Sequence, residues 1–495
     1  MTFILAALYV AFSLLSPSVL PEAIWSLHVN IILGIAVLLV SIPQIVESKL
    51  GTLPDSYLVL ALLMVATVSI FRLGFSQIPA TFMGFLPILI VYYFVLIACR
   101  RLVHLKVLTY ILLLVAFYIF AQGAMADHAH NALSPYLIAE GEGEKMVFRY
   151  RGIGVLSDPN DVAQFYVTLI PMLFLRWKKN SYFLNFVFTL LPAGVLIAGM
   201  YFTHSRGGAI ALVALILFGF KDKLGIVKSS VLAAAMFVGM MALNISGGRG
   251  MNDDDGGRVA AWVTGLELFK AHPLLGVGIN QFSEYNDTGH TAHNSYVLCL
   301  AEIGLFGYFC WMGTIVSNLK DLSAISRLKT QREKEKEGAR TANPMPESMR
   351  VSSPAPALEF AFQPGQLQPA AFARPAYAGA ELQGSHAGGD GAWAGSPRIG
   401  SMAPSPEDSE SDLIYAARIM RIAFVGLLTS AFFLSRSFSM VFYLVLGMSA
   451  ALRLIYDKRH PEMTHPFGKL LRAVTVTIVL SVVFLYLFVR IRGLH

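Results

Sequence analysis

The chain has 495 residues, of which 55% are hydrophobic and only 14% are charged, and its formal net charge is +7. This composition excludes an ordinary soluble globular protein and indicates a polytopic membrane protein. The three cysteines all lie in apolar runs, where a free thiol behaves as a small hydrophobe, so no disulfide framework is indicated.

Apolar runs of about 17–25 residues, the length that an α-helix needs to cross a bilayer, recur along the chain. We count roughly thirteen, near 3–20, 26–46, 55–72, 80–99, 103–122, 161–176, 182–203, 208–220, 226–244, 293–317, 416–434, 438–455 and 471–490. The sequence therefore predicts an all-α polytopic membrane protein with about 12–13 transmembrane helices. The predicted parts are a transmembrane domain over 1–317, a loop over 318–415 and C-terminal transmembrane helices over 416–495.

Lysine and arginine clusters between the apolar runs predict the orientation, because cytoplasmic loops are enriched in basic residues. Four clusters indicate the cytoplasmic side: 100–106, 176–179, 221–223 and 320–336. The N-terminus is then cytoplasmic, and the loops 123–160 and 245–292 face the outer side. This anchoring accounts for most of the net charge, and nucleic-acid binding is not indicated.

Between about 330 and 412 the composition changes to a tract rich in Pro, Ala, Gly and Ser. Such a tract buries too little apolar surface to offset its ordering entropy, so we predict a disordered cytoplasmic segment. A docking role is the alternative, but no motif in the tract names a partner.

The first outer loop carries Arg149 and Arg151, followed by Asp158-Pro159-Asn160-Asp161. The Asp-Pro-Asn-Asp sequence is typical of a helix start, since Asp or Asn caps the free N–H groups of the helix that follows. A contribution of these residues to a sugar-binding surface is the alternative interpretation.

At the next outer turn, His204, Ser205 and Arg206 stand where one apolar run ends, and the next run starts with two glycines. An arginine here either reaches the interface along its aliphatic stem or faces a cavity that holds an anion. The serine and the paired glycines favour the cavity, because small residues let a ligand approach the backbone.

The second outer loop contains Arg258 at the head of an amphipathic segment, VAAWVTGLELF, which we expect along the membrane surface. Gly276 and Gly278 lack the third glycine and the setting of a dinucleotide-binding loop. Asp253, Asp254 and Asp255 have the oxygen ligands that Mg²⁺ or Ca²⁺ prefers, yet a solvated turn explains them better. His290 and His293 lack zinc partners at a recognisable spacing, so we predict no metal and no cofactor.

His293 and Asn294 stand at the mouth of an apolar run, and Gly304 and Gly307 follow within it. A histidine in this position is a group that exchanges protons at a membrane surface. The alternative is an interfacial histidine that only bonds a neighbour. Glu302, inside the same run, is interpreted as structural and paired with a buried arginine or histidine.

Three elements in this order resemble the bacterial O-antigen ligase and polymerase superfamily, whose members are integral membrane glycosyltransferases acting on polyprenyl-diphosphate-linked glycans. The elements are Ser205-Arg206-Gly207-Gly208, then Arg258 with Trp262 before His272-Pro273-Leu274-Leu275-Gly276-Val277-Gly278, then His293-Asn294 with Gly304 and Gly307. The last element matches the ligase pattern of His, then Asn, Ser or Gln, nine residues, Gly, two residues, then Gly, Thr or Tyr. The resemblance covers about 150–317.

The resemblance implies a metal-independent, inverting enzyme with a C-type membrane glycosyltransferase fold, in which 1–317 forms the catalytic domain. His293 would act as the general base, and Arg206 and Arg258 would hold the diphosphate of the donor. The remaining predicted substrate-binding residues are Asn294, His204, Ser205, Arg149, Arg151, Asp158 and Arg436. The expected place is the bacterial inner membrane, with a periplasmic active site.

The acceptor separates the members of this superfamily. A ligase passes the glycan to lipid A core, a polymerase passes it to a second lipid-linked repeat unit, and related enzymes glycosylate protein. The ligase ranks first because its histidine pattern is complete, whereas the extra arginines Arg149, Arg151 and Arg436 mildly favour a polymerase. A lipid-linked glycan flippase or transporter is the alternative from another class, although no internal repeat is detected.

Overall fold

The computed structural model describes residues 1–15, 28–47, 53–71, 74, 76–140, 146–243, 255–287, 289–342, 409–460 and 467–492. The chain divides into two compact units, Met1–Thr330 with Pro406–His495, and Gln331–Ser405. In the second unit, residues 331–342 are helical and 343–405 lie outside the described residues.

Helices dominate the described residues. In chain order they are α1 (Thr2–Leu15), α2 (Val29–Glu47), α3 (Pro54–Ser69), α4 (Gln77–Ala98), α5 (Leu102–His128), α6 (Pro159–Met172), α7 (Tyr182–Phe202), α8 (Arg206–Ala242), α9 (Asp255–Ala271), α10 (Ser295–Ala342), α11 (Glu410–Ala431), α12 (Met440–Asp457) and α13 (Phe467–Arg492). Two strands, β1 (Leu137–Glu140) and β2 (Val147–Tyr150), form an antiparallel hairpin between α5 and α6.

Every predicted apolar run overlaps a helix of the described residues. Two of the runs fall in α8, where Gly225 leaves the helical conformation with φ of 77° and divides the helix. Seven described helices are long and apolar enough to cross a membrane, and α1, α2 and α3 contain shorter apolar helices. The predicted all-α polytopic membrane fold is thus confirmed, while the number of helices that cross the bilayer remains a prediction.

Burial separates central helices from peripheral ones. In the apolar window of α12, 89% of the residues are buried inside the protein, whereas the corresponding share in α13 is 22%. A helix that is apolar on all sides and buried forms the centre of a bundle, and one with an exposed apolar face contacts lipid. We therefore place α12 at the centre and α13 at the lipid-facing edge.

A buried polar cluster ties the central helices together on one side of the bundle. Arg453 of α12 is 3% exposed and donates to Asp321 of α10 at 3.1 Å and to Asp457 at 2.6 Å. Asp55 of α3 accepts from the Asn318 amide of α10 at 3.2 Å. Because a buried charge is costly unless it is paired, these contacts fix the register of α3, α10 and α12.

The first outer loop contains a short hairpin that the sequence did not predict. Leu137 pairs with Tyr150 and Glu140 pairs with Val147. The Tyr150 ring stacks on Phe202 at 4.8 Å, and its hydroxyl donates to Asp127 at 2.8 Å. Burial, together with the hydrogen bond to Asp127, raises the pKa of Tyr150, so the hydroxyl stays a donor at neutral pH. The hairpin is therefore anchored to the ends of α5 and α7.

The loop predicted over 318–415 begins and ends differently in the structure. α10 continues past the predicted span end at 317 to Ala342, and α11 already begins at Glu410. Residues 330–342 of the tract predicted to be disordered are thus helical, and 409 carries the N-terminal cap of α11. The prediction of disorder for the rest of the tract falls outside the described residues.

Candidate functional site

Three helices begin with a side-chain cap in the region that holds the predicted site residues. The Asp158 carboxylate accepts from the Asn160 N–H at 2.7 Å at the start of α6. Ser205 Oγ accepts from the Gly208 N–H at 3.2 Å at the start of α8. Asn294 Oδ1 accepts from two N–H groups at the start of α10, at 2.9 and 3.1 Å. A helix N-terminus carries partial positive charge, which favours a bound anion.

Direct contacts join the starts of α6 and α8. Ser205 Oγ donates to Asn160 Oδ1 at 2.7 Å, so the residue that caps α8 also holds the first turn of α6. A Cβ placed on Gly208 would stand 2.8 Å from the Ala163 methyl group. The sequence predicts that the paired glycines admit a ligand. In the structure, the missing side chain of Gly208 instead lets α8 approach α6 closely.

The connection between α11 and α12 joins the start of α10 to the start of α6. Ser295 Oγ donates to the Leu434 carbonyl at 2.6 Å and accepts from the Arg436 N–H at 2.9 Å. Ser437 Oγ donates to the Ser295 carbonyl at 2.6 Å. The Arg436 guanidinium forms an ion pair with Asp161 of α6. Arg436 is therefore held between the two helix starts.

His293 and His204 occupy equivalent local positions. Each residue immediately precedes the cap of its helix, and their φ values are 49° and 48°. A positive φ is uncommon for residues other than glycine and concentrates at functional sites. His293 is half-buried, and its ring lies 6.3 Å from the His290 ring. The backbone thus orients both histidines at the rim of the helix starts.

Helix α9 holds the residue that precedes His293. The Trp262 indole N–H donates to the Ala292 carbonyl at 2.8 Å, and the indole ring packs against Phe432 at 5.4 Å. Arg258 stands four residues before Trp262, so both project from the same face of α9. Arg258 is half-buried on that face. This arrangement places Arg258 on the side of α9 that faces the His293 loop.

Gly304 interrupts the helical conformation of α10, and the backbone of residues 273–278 forms hydrogen bonds with the backbone around this interruption. Gly304 has φ of 62° and ψ of −162°. The Leu305 N–H donates to the Pro273 carbonyl at 2.8 Å, and the Gly278 N–H donates to the Glu302 carbonyl at 2.8 Å. A Cβ on Gly304 would stand 2.4 Å from the Leu274 carbonyl carbon. Two of the sequence motifs therefore meet in the structure through their backbones.

We expect Gly304→Ala to lower the free energy of unfolding by about 1–3 kcal/mol, because an alanine both strains the positive φ and collides with Leu274. Thermal unfolding of the purified variant measures the effect. Gly219→Ala is the matched control, since a Cβ on Gly219 of α8 meets nothing within 4 Å. Equal midpoints for the two variants would contradict this role of Gly304.

Glu302 is buried, and its described hydrogen-bond partner is a backbone group and not the predicted arginine or histidine. Its Oε1 accepts from the Phe282 N–H at 3.2 Å, and the side chain is 2% exposed. The carboxylate thus holds the short 3-10 turn at Phe282–Tyr285. The structure places no arginine or histidine of the described residues in that contact.

The outer arginines fall into different environments. Arg149 is 6% exposed, and its guanidinium donates to the Thr203 carbonyl at 2.8 Å, to Glu140 at 2.5 Å and to Asn160 at 3.2 Å. Arg151 donates to the Pro135 carbonyl at 3.0 Å. Arg149 therefore braces the hairpin against the starts of α6 and α8, whereas Arg206 stands half-buried as the first residue of α8.

Three polar atoms at these helix starts are buried and have no hydrogen-bond partner among the described residues: Asn294 Nδ2, Asp161 Oδ2 and Ser435 Oγ. Buried polar atoms in folded proteins are nearly always paired with protein or water. These atoms are one donor, one acceptor and one hydroxyl. They indicate positions near Arg436 where a polar ligand or a water molecule forms the missing hydrogen bonds.

Sequence reasoning missed Ser295 and most of the connection between α11 and α12, apart from Arg436. The signal was present, because Ser435-Arg436-Ser437 interrupts apolar sequence in the same way as Ser205-Arg206. Other candidates cannot be placed: Asp253 and Asp254 lie outside the described residues, and the side chain of Asp255 is not described. In the part of the chain that is described, no three His, Cys, Asp or Glu side chains form a metal-binding group.

Comparison with known proteins gives one finding about the family. Residues 191–312 match a protein-family model described as O-Antigen ligase. The matched range runs from α7 into α10 and includes Arg206, Arg258 and His293. No curated protein matches the chain. The resemblance seen in the sequence motifs is confirmed over residues 191–312, the part of this multi-pass membrane protein that is similar to the O-antigen ligase family.

Proposed function

We propose that the protein transfers a glycan from a polyprenyl-diphosphate donor to an acceptor hydroxyl at the outer face of the bacterial inner membrane. The observation that carries the proposal is the joining of the N-termini of α6, α8 and α10 by the Ser205–Asn160, Arg436–Asp161 and Arg436–Ser295 contacts. Arg206 is the first residue of α8, and His293 immediately precedes the cap of α10. An O-antigen ligase domain, which is of glycosyltransferase type, agrees with this chemistry. We rank the ligase reaction first, with lipid A core as the acceptor.

The donor diphosphate would bind at the helix starts. Planar guanidinium groups bind phosphate oxygens in a forked geometry, and helix N-termini supply further N–H donors. We assign this role to Arg206 and Arg258, with Arg436 beside them and His204 and Ser205 at the rim. Asn294 would contribute its buried Nδ2–H₂ group, which has no partner among the described residues. Arg149, Arg151 and Asp158 would position these groups.

In the transfer step, His293 takes the proton of the acceptor hydroxyl while the hydroxyl oxygen forms a bond to the anomeric carbon of the donor sugar. The bond from that carbon to the diphosphate oxygen breaks on the opposite side, so the anomeric configuration inverts. The electron pair of the broken bond stays with the polyprenyl diphosphate. The arginines stabilise the negative charge that develops there, which is the main electrostatic contribution expected of them.

Polymerisation of lipid-linked repeat units is the second candidate. It requires a second lipid diphosphate to be held, and the extra arginines Arg149, Arg151 and Arg436 are the residues that favour it. All three side chains donate to acceptors of the protein itself, which weakens this argument. A purified enzyme offered labelled donor with either lipid A core or excess unlabelled donor distinguishes the two: the ligase assignment predicts label on lipid A core, and polymerisation predicts longer lipid-linked chains.

A flippase is the alternative from a different class. Transporters use interrupted helices to bind substrate near the bilayer midplane, and α10 is interrupted at Gly304. The backbone groups at that break, however, pair with residues 273–278 of the adjoining loop. These backbone groups are therefore already hydrogen-bonded within the protein and are not left to bind a transported substrate, which favours a transferase.

Chelation should leave glycan transfer unchanged, because in this proposal arginines and helix N-termini neutralise the diphosphate charge. The measurement is transfer by purified protein with and without EDTA, and alanines at Asp253, Asp254 and Asp255 should likewise be tolerated. Loss of transfer with EDTA, restored by Mg²⁺ or Mn²⁺, would replace this mechanism with metal-assisted catalysis.

A further inference from the structure

A cavity of about 450 Å³ lies between the start of α5, the segment that follows α6 and the start of α11. Three cationic side chains line it, Lys106, Arg176 and Lys178, together with a single carboxylate, Asp412. Asp412 already accepts a hydrogen bond from Ser409 Oγ at 2.7 Å. The lining therefore carries net positive charge, and none of its charged residues belongs to the candidate functional site.

This cavity and the candidate functional site lie at opposite ends of the same helices. The far end of α5 holds Asp127, which bonds the hairpin residue Tyr150 beside Arg149. Asp161 of α6 stands at the site, and Leu175, in the 3-10 turn Leu173–Arg176 that follows α6 directly, lines the cavity about 20 Å away at roughly 1.5 Å per residue. α11 begins at the cavity and ends five residues before Arg436. The cavity thus belongs to the membrane face opposite to His293, which the basic clusters predict to be cytoplasmic.

The walls combine charge with groups typical of a bilayer interface. Leu102, Val103 and Val107 give an aliphatic side, and Trp177 and Tyr415 supply amphipathic rings of the kind that gather at headgroup level. Close by on α7, the Phe183 side chain is 76% exposed, as expected for a lipid-facing position. A soluble anion would need only the cations, whereas an apolar wall beside them suits a molecule with both a phosphate and an acyl chain.

Two of the three cationic residues, Arg176 and Lys178, are held in place by contacts with the protein. The Arg176 guanidinium sits over the Phe188 ring at 4.5 Å, and the Tyr110 hydroxyl donates to the Phe188 carbonyl at 2.8 Å. The Lys178 backbone exchanges two hydrogen bonds with the Asn185 side chain, at 3.0 and 2.7 Å. These hydrogen bonds involve the backbone of Lys178, whereas its side chain lines the cavity. Replacing the side chain should therefore leave the backbone at 178 in place.

We propose that this cavity binds the phosphodiester headgroup of an anionic phospholipid of the leaflet opposite to the functional site. Basic pockets between transmembrane helices on the cytoplasmic side are suited to such headgroups. Lys106, Arg176 and Lys178 contact the phosphate, and the aliphatic wall contacts the glycerol and the first acyl carbons. A bound lipid would join the ends of α5, α6 and α11, which carry parts of the site at their other ends.

The test compares Lys178→Gln with Lys179→Gln in the full-length protein, because the neighbouring Lys179 does not line the cavity. Affinity for phosphatidylglycerol and for phosphatidylcholine is measured in detergent by native mass spectrometry, with thermal unfolding as a check of folding. We expect phosphatidylglycerol to bind more tightly than phosphatidylcholine, and Lys178→Gln and Lys106→Gln each to weaken it about fivefold. Lys179→Gln should bind as the unchanged protein does.

Equal lipid affinity of the Lys178 and Lys179 variants would overturn the proposal, as would equal binding of the two lipids. Inorganic phosphate is the third arm, measured by its effect on the unfolding midpoint. Stabilisation by phosphate equal to that by phosphatidylglycerol would indicate a free-anion site and would also overturn the lipid assignment.

Discussion

Replacement of His293 by alanine should reduce the rate of glycan transfer by about 10²–10⁴-fold, the effect typical of losing a positioned general base. The backbone around His293 is fixed independently of its side chain, because Trp262 holds the Ala292 carbonyl and Asn294 caps α10. The variant should therefore fold, insert into the membrane and still bind the donor. Transfer by purified protein, at saturating donor, measures the loss.

His290→Ala is the matched control for this prediction. The two rings lie 6.3 Å apart, but His290 is exposed and does not precede a helix cap. We expect the His290 variant to keep most of its activity. A normal rate of transfer by the His293 variant, or an equal loss of transfer rate in both variants, would contradict the assignment of His293 as the base.

Lysine in place of Arg206 or Arg258 should be nearly as damaging as alanine, with transfer lowered by about 10²–10³-fold, as when one preorganised donor is lost from a charge-stabilising site. Lysine keeps the charge but cannot form the forked contact with phosphate oxygens. The measurement is kcat/KM for the donor in both variants.

Arg472→Lys provides the control for the arginine variants, because Arg472 is exposed on α13. It should behave as the unchanged protein. Full activity of the Arg206 or Arg258 lysine variants would show that these side chains only reach the interface, which is the alternative considered from the sequence.

Local sequence was sufficient to predict the helices, because hydropathy over about 20 residues decides whether a segment can sit in a bilayer. It did not predict the break at Gly304, whose cause is the backbone of Pro273 and Leu274, about thirty residues earlier in the chain. The hairpin was missed for a related reason: β1 and β2 are short, and their stability comes from packing on Phe202 and Asp127.

The same limit applies to the candidate site. Arg149 and Arg436 look alike in sequence, as arginines on the outer side of apolar runs. In the structure Arg149 donates to three internal acceptors, while Arg436 bridges Asp161 and Ser295. Such a difference depends on contacts between residues far apart in the chain, so the sequence alone does not predict it.

The most direct test of the account measures binding of a polyprenyl-diphosphate-linked glycan to three purified forms: the unchanged protein, His293→Ala and Arg206→Lys. If His293 acts on the acceptor proton and Arg206 holds the diphosphate, the His293 variant should bind donor with an unchanged Kd, although it does not turn it over. The Arg206 variant should bind about tenfold or more weakly, as expected for a lost charge-assisted bond of about 1.5–3 kcal/mol. Unchanged donor binding in the Arg206 variant, with loss of binding in the His293 variant, would contradict the account.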